Sequence, residues 1–287
     1  MKQRHIKNMI AAQTQPEGRG MTVHRTIGMR SVTELDPFLL LDEMDMPKGA
    51  AGAGFPEHPH RGFETVTYML EGQMEHRDQA GNRGLIGPGD AQWMTAGRGI
   101  VHSEMPVASK EPLRGFQLWV NLPAAQKMIA PRYQDIAADQ LPLVQGDGYA
   151  AKLLAGDLLG ETGPISEVKI QPFFADIRLT KEGTITLPVQ LGHTAFLYGI
   201  DSDLTVAGIP VSSRTLAVLT DGDSVQISGK KGARFILVSA QPIGEPIARM
   251  GPFVMNTRAE IKATVRDWNN GTFLKQKIPA SRSGSRR

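Results

Sequence analysis

Alternation with a period of two is the feature that most constrains how this chain can fold. Between residues 21 and 123 the sequence runs in short alternating stretches separated by glycine and proline. In Phe63-Glu-Thr-Val-Thr-Tyr-Met-Leu70, the side chains of Phe63, Thr65, Thr67 and Met69 share one face and Glu64, Val66, Tyr68 and Leu70 the other, until Gly72 breaks the run. From Arg114 to Leu122, Phe116, Leu118 and Val120 face one way, with Gln117 and Trp119 opposite. This is strand spacing, not helix spacing. The 31 glycines and 19 prolines among 287 residues suit many short strands joined by tight turns, so the chain reads as all-β.

A second β-rich stretch follows in the runs Phe173 to Leu179, Thr184 to Leu187, Thr194 to Ile200, Thr215 to Leu219, Ser224 to Ser228 and Ala233 to Ser239. Between the two stretches the pattern blurs around Pro131, Pro142 and Gln145-Gly-Asp-Gly148. The organisation expected is therefore an N-terminal module over residues 1–130, a linker over 131–156, a C-terminal module over 157–274 and a basic tail over 275–287. Gly87-Pro-Gly-Asp-Ala-Gln-Trp93 and Asp221-Gly-Asp-Ser-Val-Gln-Ile227 each set a Gly-Asp turn before a strand, which hints at duplication. One helix is marked by a capping box, Thr257-Arg-Ala-Glu260, with the apolar stripe Ile261, Val265 and Trp268 and a stop at Gly271. That stripe is expected to pack on a barrel.

The formal charge of +3 comes from 32 basic and 29 acidic residues. Five of the basic residues, Lys275, Lys277, Arg282, Arg286 and Arg287, lie in the tail, where there is no acid, and the body before it has 27 against 29, or −2. A nucleic-acid binder with a basic face is not expected, and the tail reads as a solvated terminus. The apolar run near the N-terminus is too short for a secretory signal and no window approaches a membrane span, so a cytoplasmic location is expected. Asn270-Gly-Thr272 reads as a chance match to a glycosylation acceptor.

Without cysteine, any metal must sit on His, Asp or Glu. Three of the seven histidines fall in one pattern, His58-Pro-His60 followed by His102-Ser-Glu104. Residues two apart on a strand share a face, so two such pairs on facing strands would bring three imidazoles and a carboxylate to one point. That donor set suits iron, manganese, nickel or copper and leaves coordination positions open. Glu104 is the first candidate for the carboxylate because it shares parity with His102, and Glu64, which keeps the parity of His58 and His60 if the strand is unbroken, is the second. His76 reads as an exposed hairpin residue, or at best a neighbour of a ligand; His5, His24 and His193 read as structural or solvated. Ser103 points away from its neighbours, which excludes a Ser-His-Glu hydrolase built on this strand, and no Walker or dinucleotide motif is present.

The run Phe55-Pro-Glu-His-Pro-His-Arg-Gly-Phe-Glu-Thr-Val-Thr-Tyr68 and the run Gly87-Pro-Gly-Asp-Ala-Gln-Trp-Met-Thr-Ala-Gly-Arg-Gly-Ile-Val-His-Ser-Glu104 closely resemble the pirin family of the cupin superfamily. The resemblance resumes at Gly244-Glu-Pro-Ile247 and Gly251-Pro-Phe-Val-Met-Asn-Thr257, and so spans nearly the whole chain apart from the tail. It implies a bicupin, two jelly-roll barrels face to face with only the first metal-loaded. It also implies that His58, His60, His102 and Glu104 are the ligands, whereas Glu64 stands where cupins in general place their carboxylate. The second barrel, with a lone His193, would be metal-free.

Family members resemble quercetin 2,3-dioxygenases. The resemblance thus implies one divalent transition metal, Fe(II) first, with nickel, copper, manganese, cobalt or zinc as alternatives. Its substrates would be a flavonol-like aromatic and dioxygen, with Glu104 doubling as a base and Phe55, Phe63 and Trp93 as candidate apolar walls. The rival reading is an iron-dependent protein-binding module, since eukaryotic pirins resemble co-regulators of transcription factors and other members are thought to bind metabolic enzymes. A different cupin reaction on another enolisable substrate is a third.

Overall fold

The computed structural model describes residues 2–47, 52–107 and 112–275; the basic tail beyond Lys275 lies outside them. Two seven-stranded sheets, antiparallel throughout, dominate. The first runs, edge to edge, through Arg132–Ile136, Ala91–Thr95, Phe63–Glu71, Leu113–Asn121, Phe38–Met46, Met21–Ile27 and Gln13–Glu17. The second runs through Ile6–Ala11, Thr215–Leu219, Thr194–Gly199, Arg234–Ala240, Phe173–Leu179, Tyr149–Ala155 and Leu143–Gly146. Each is backed by a four-stranded sheet: Phe55–His60, Ile100–Pro106, Met74–Asp78 and Arg83–Ile86 in the first half, and Gly183–Pro188, Ser224–Gly229, Leu204–Val206 and Ile209–Val211 in the second.

The strand order therefore repeats between the halves, as duplication requires. The short motif that hinted at it does not occupy equivalent places, however. Gly87–Trp93 leads into Ala91–Thr95 of a large sheet, whereas Asp221–Ile227 leads into Ser224–Gly229 of a small one. A Gly-Asp turn before a strand is common turn chemistry and recurs without common descent.

The expected module boundaries also differ from the pairing. Ile6–Ala11 is an edge strand of the second large sheet, paired with Thr215–Leu219, although it lies in the expected N-terminal module. Buried Arg4 fixes this crossing by donating to the carbonyls of Gly222, His193, Thr220 and Gln190. The stretch expected to be a linker instead supplies Arg132–Ile136 to the first sheet and the hairpin Leu143–Gly146 with Tyr149–Ala155 to the second. Asp147-Gly148, with Gly148 at φ 86°, forms the two-residue turn of that hairpin, and the same residues in sequence read as a linker.

The two large sheets pack face to face over one shared apolar layer. From the first come Phe38, Leu41, Val66, Tyr68, Trp93, Phe116, Leu118 and Val120; from the second Leu154, Phe174, Phe196, Tyr198, Leu216 and Ile236. The alternation in 63–70 and 114–120 thus aims one parity into this layer. The opposite parity faces the space between the large and small sheets. In the first half that space holds Met21, Met44, Met46, Met69 and Met74 together with polar side chains; in the second it is filled by aliphatic residues such as Leu153, Ile177, Leu187, Val225 and Ile227.

Two polar ties cross the shared layer. Tyr68 donates to Asp176 at 2.7 Å, a carboxylate also gripped by Arg234. Tyr198 donates to Glu43 at 2.6 Å, which Arg114 also holds. Burial, with the facing carboxylate, pushes both phenols well above their ordinary range, so they remain donors.

The helix spans Arg258–Asn269 and its capping box forms as expected. Its buried face differs from the expected stripe. Ile261 and Thr264 are buried, Val265 packs beside them, and Trp268 is 42% exposed, its ring edge-on to Phe273. Arg61, itself buried, reaches the helix to donate to Thr264 and to pair with Asp267 at 2.8 Å, so a polar anchor replaces part of the apolar stripe. Among the described residues no helix is long and apolar enough to cross a membrane.

Tyr68→Phe and Tyr198→Phe each delete a bond to a buried carboxylate and should lower unfolding free energy by about 1.5–3 kcal/mol. Urea denaturation checks this, and unchanged midpoints would show that the ties contribute nothing.

Candidate metal centre

In the first small sheet, Ile100–Pro106 lies between Phe55–His60 and Met74–Asp78, and the register sets His102 directly opposite His58, with Ile100 opposite His60. Burial alternates along the central strand, with Ile100, His102 and Glu104 inward and Val101 and Ser103 more exposed. Pro59, which has no amide hydrogen, is tolerated because Phe55–His60 is the sheet's edge. Immediately after His60 the chain turns at Gly62, φ 88°, where a Cβ would come within 1.9 Å of the Val254 carbonyl oxygen. Arg61 is clamped by the carbonyls of Arg98 and Phe273, so the backbone carrying His60 has little freedom.

The ring nitrogens of His58, His60 and His102 lie within 4.8 Å of one another. His58 Nδ1–H donates to the Pro56 carbonyl at 2.7 Å, which leaves Nε2 with its lone pair, 3.0 Å from His60 Nε2. His102 Nε2 is buried without a hydrogen-bond partner among the described residues. Burial, reinforced by neighbouring imidazoles, drives His60 and His102 well below the ordinary histidine range, so both rings stay neutral. Imidazole nitrogens of three rings gathered this closely in a buried pocket suit a cation between them. The residues therefore fit a first-row divalent ion with imidazole ligands.

Glu104, 3% exposed, shares the same cavity, but its carboxylate is not one of this tight trio. Thr67 Oγ1 lies 3.3 Å from its Oε1, and Gln117 Nε2 approaches its two oxygens at 3.4 and 3.3 Å. Glu64 stands on the opposite face of its strand, away from the histidines, and accepts from Thr95 Oγ1 at 2.6 Å. The parity with His58 and His60 that made it a second candidate fails because the chain turns between those residues and Phe63.

His76 is not the exposed hairpin residue that its setting suggested but the neighbour of a ligand, the alternative reading. It is 2% exposed, and its Nε2 is hydrogen-bonded to His102 Nδ1. With His102 Nε2 as the open lone pair, the proton sits on His102 Nδ1 and is donated to His76, which fixes the ring's tautomer and plane. Tyr133 packs edge-on against His76 and donates to Asp78 at 2.9 Å. The inward alternation of Met74 and His76 was the available signal.

The cavity in front of the histidines has a volume of about 360 Å³, walled by Leu40, Met44, Phe55 and Trp119. Of the expected walls only Phe55 lines it; Phe63 lies behind Trp119, with ring centroids 4.4 Å apart, and Trp93 belongs to the layer between the halves. Trp119 takes the role instead, its ring 5.2 Å from that of His60 and covered on another side by the Arg249 guanidinium at 4.8 Å. Arg25, held by Asp42 and Glu17, completes the mouth. Elsewhere, His24 bonds to Thr14, and His193 is buried in the second half.

Family models agree with this architecture: the pirin model matches residues 20–120 and the pirin C-terminal cupin domain matches residues 174–274. The chain belongs to the pirin family. Human pirin is 42% identical over 268 residues, covering 91% of each chain. A crystal structure of quercetin 2,3-dioxygenase from Acinetobacter baumannii superposes with a TM-score of 0.88 at 32% identity, covering 94% of this chain and 98% of that one. A bacterial pirin from Escherichia coli, solved in complex with nickel(II), shares the fold with a TM-score of 0.66 at 22% identity over 82% of this chain and 98% of that one.

Because His76 holds the His102 ring, His76→Ala should weaken nickel binding by about 10- to 100-fold while leaving the fold intact. Competition against a chromophoric chelator measures this. Wild-type affinity in the variant would show that the contact is incidental.

Proposed function

We propose that the chain is a cytoplasmic metal-dependent dioxygenase of the quercetin 2,3-dioxygenase type. It would act on a flavonol-like aromatic and dioxygen and release carbon monoxide. The observation that carries this reading is the convergence of imidazole nitrogens from His58, His60 and His102 on the floor of an aromatic-walled cavity. The similarity to the Acinetobacter protein supports it. The ligand set is His58, His60, His102 and Glu104, and the ion Fe(II), with nickel, copper, manganese, cobalt or zinc as substitutes. When bound there, such an ion supplies Lewis acidity to a hydroxylated substrate and redox chemistry towards dioxygen.

The chain's own groups then have separate tasks. Glu104 accepts the proton of the flavonol 3-hydroxyl. Gln117 donates to its carboxylate and holds it in place, with Thr67 Oγ1 beside it. Thr67 gives its one hydroxyl proton to the nearer Gln117 Oε1, at 2.8 Å, which sets the amide so that Nε2 faces Glu104. Trp119 and Phe55 offer flat apolar faces to a planar ring, while Leu40 and Met44 close the wall against water. Overall, one dioxygen is incorporated, two carbon–carbon bonds of the heterocycle break, and the products are a depside and carbon monoxide.

The iron, nickel or copper form should consume quercetin and dioxygen and release equimolar carbon monoxide. His60→Ala should abolish this, and Glu104→Gln should lower kcat by about 10²–10⁴-fold. Oxygen-electrode and carbon monoxide measurements on one preparation check both, and normal turnover by metal-free protein would overturn the mechanism.

The second reading is a metal-gated binding module for a protein partner, favoured by the charged mouth formed by Glu17, Arg25, Asp42 and Arg249. It requires negligible turnover with every metal and partner capture that changes with the ion's oxidation state. Capture unchanged by stripping the metal would remove it.

A further inference from the structure

The rim of the metal cavity carries two guanidinium groups, and among the described residues only one of them is met by carboxylates. Arg25 is fully engaged: Nε and Nη2 grip the two oxygens of Asp42, each at 2.7 Å, and Nη2 also reaches Glu17 at 2.7 Å. The strand register explains the grip, because Arg25 stands directly opposite Asp42 and shares its face. Asp42 in turn stands opposite Gln117, and Leu40 opposite Trp119, so this is the face that lines the cavity.

Arg249 reaches the same rim from the C-terminal segment. It lies on the short strand Ala248–Met250, which pairs with Phe253–Met255, and the register sets it opposite Val254. Val254 is buried beside Phe63 and Trp119, and Arg249, on the same face, lies over the Trp119 ring with its guanidinium 4.8 Å from the ring centroid. Two backbone carbonyls hold it there: Nη1 donates to Leu39 at 3.1 Å and Nε to Gly251 at 3.4 Å. Carbonyls orient the group without cancelling its charge. No carboxylate pairs with it among the described residues, its Nη2 has no hydrogen-bond partner among them, and the residue is exposed. A planar cation fixed against an aromatic wall with donors to spare is suited to a flat ligand that ends in an anion.

We propose that Arg249 selects aromatic substrates that carry an anionic group on the ring remote from the ion. This rests on the flavonol reading above and names the substrate class within it. With the substrate's reacting end beside the histidines, its outer ring lies at the rim. There the Arg25 guanidinium is already occupied by Asp42 and Glu17, and Arg249 supplies the charge-assisted hydrogen bond. Because the rim is open to solvent, salt screens part of the attraction and the gain is modest.

The test is anaerobic equilibrium dialysis of nickel-loaded full-length protein against quercetin and against its B-ring sulfonate, which differ by one anionic group. At low salt the sulfonate should bind tighter than quercetin by about three- to tenfold, and that ratio should fall towards unity as salt is raised to about 0.5 M. In Arg249→Gln, a change at an exposed position, the ratio should be close to unity at every salt concentration. Equal affinities in the wild type at low salt, or a preference that survives in Arg249→Gln, would overturn the proposal. Binding of both flavonols without preference sinks this proposal alone, whereas binding of neither sinks the dioxygenase reading and this proposal with it.

Discussion

The central strands of the first large sheet serve two interiors at once, and the rest of the structure follows from that constraint. Val66, Tyr68, Phe116 and Leu118 point into the layer shared with the second half. Their neighbours Thr67, Gln117 and Trp119 point towards the histidines. A slip of one residue in the pairing of Phe63–Glu71 with Leu113–Asn121 would send phenylalanine and leucine into the polar cavity and glutamine into the apolar layer. Register is therefore fixed by burial on both faces, and Glu104 is held by Thr67 and Gln117 because these two are cross-strand partners.

The halves share a strand order yet differ inside. Where the first sets His102 opposite His58, the corresponding strand pair of the second sets Ile227 opposite Ile185 and Val225 opposite Leu187. One interior is packed for stability, and the other gives up apolar packing to hold neutral imidazoles and a carboxylate. Buried cations make up part of that loss where the first half meets the C-terminal segment. Arg61 ties the turn after His60 to the helix, and Lys127 ties Gly62, Asn121 and Val254 together. Burial lowers the Lys127 ammonium to about 8, so at neutral pH it still donates to all three oxygens.

Much of this was legible in the sequence because it is local. The two-residue period assigned faces along 63–70 and 114–120, His-x-His and His-x-Glu placed their donors on one side of a strand, and Thr257 with Glu260 marked the helix start. What was hidden depends on partners distant in sequence. His76 sits among Glu75, Arg77 and Asp78, and this charged setting gives no sign that its strand lies between two others. Ile6–Ala11 pairs with residues more than two hundred positions away. Asp147-Gly148 is the same dipeptide in a linker or a hairpin, and the helix is anchored at Thr264 and Asp267 by a guanidinium that the helix sequence does not contain.

The His58, His60 and His102 cluster is built to hold one divalent ion. X-ray absorption spectroscopy at the nickel edge, on stoichiometrically loaded protein, tests this most directly. The expected result is one ion per chain with a first shell of nitrogen and oxygen whose imidazole scattering fits three histidines and falls to two in His58→Ala. Binding in excess of one ion per chain, or a spectrum unchanged by that substitution, would contradict it.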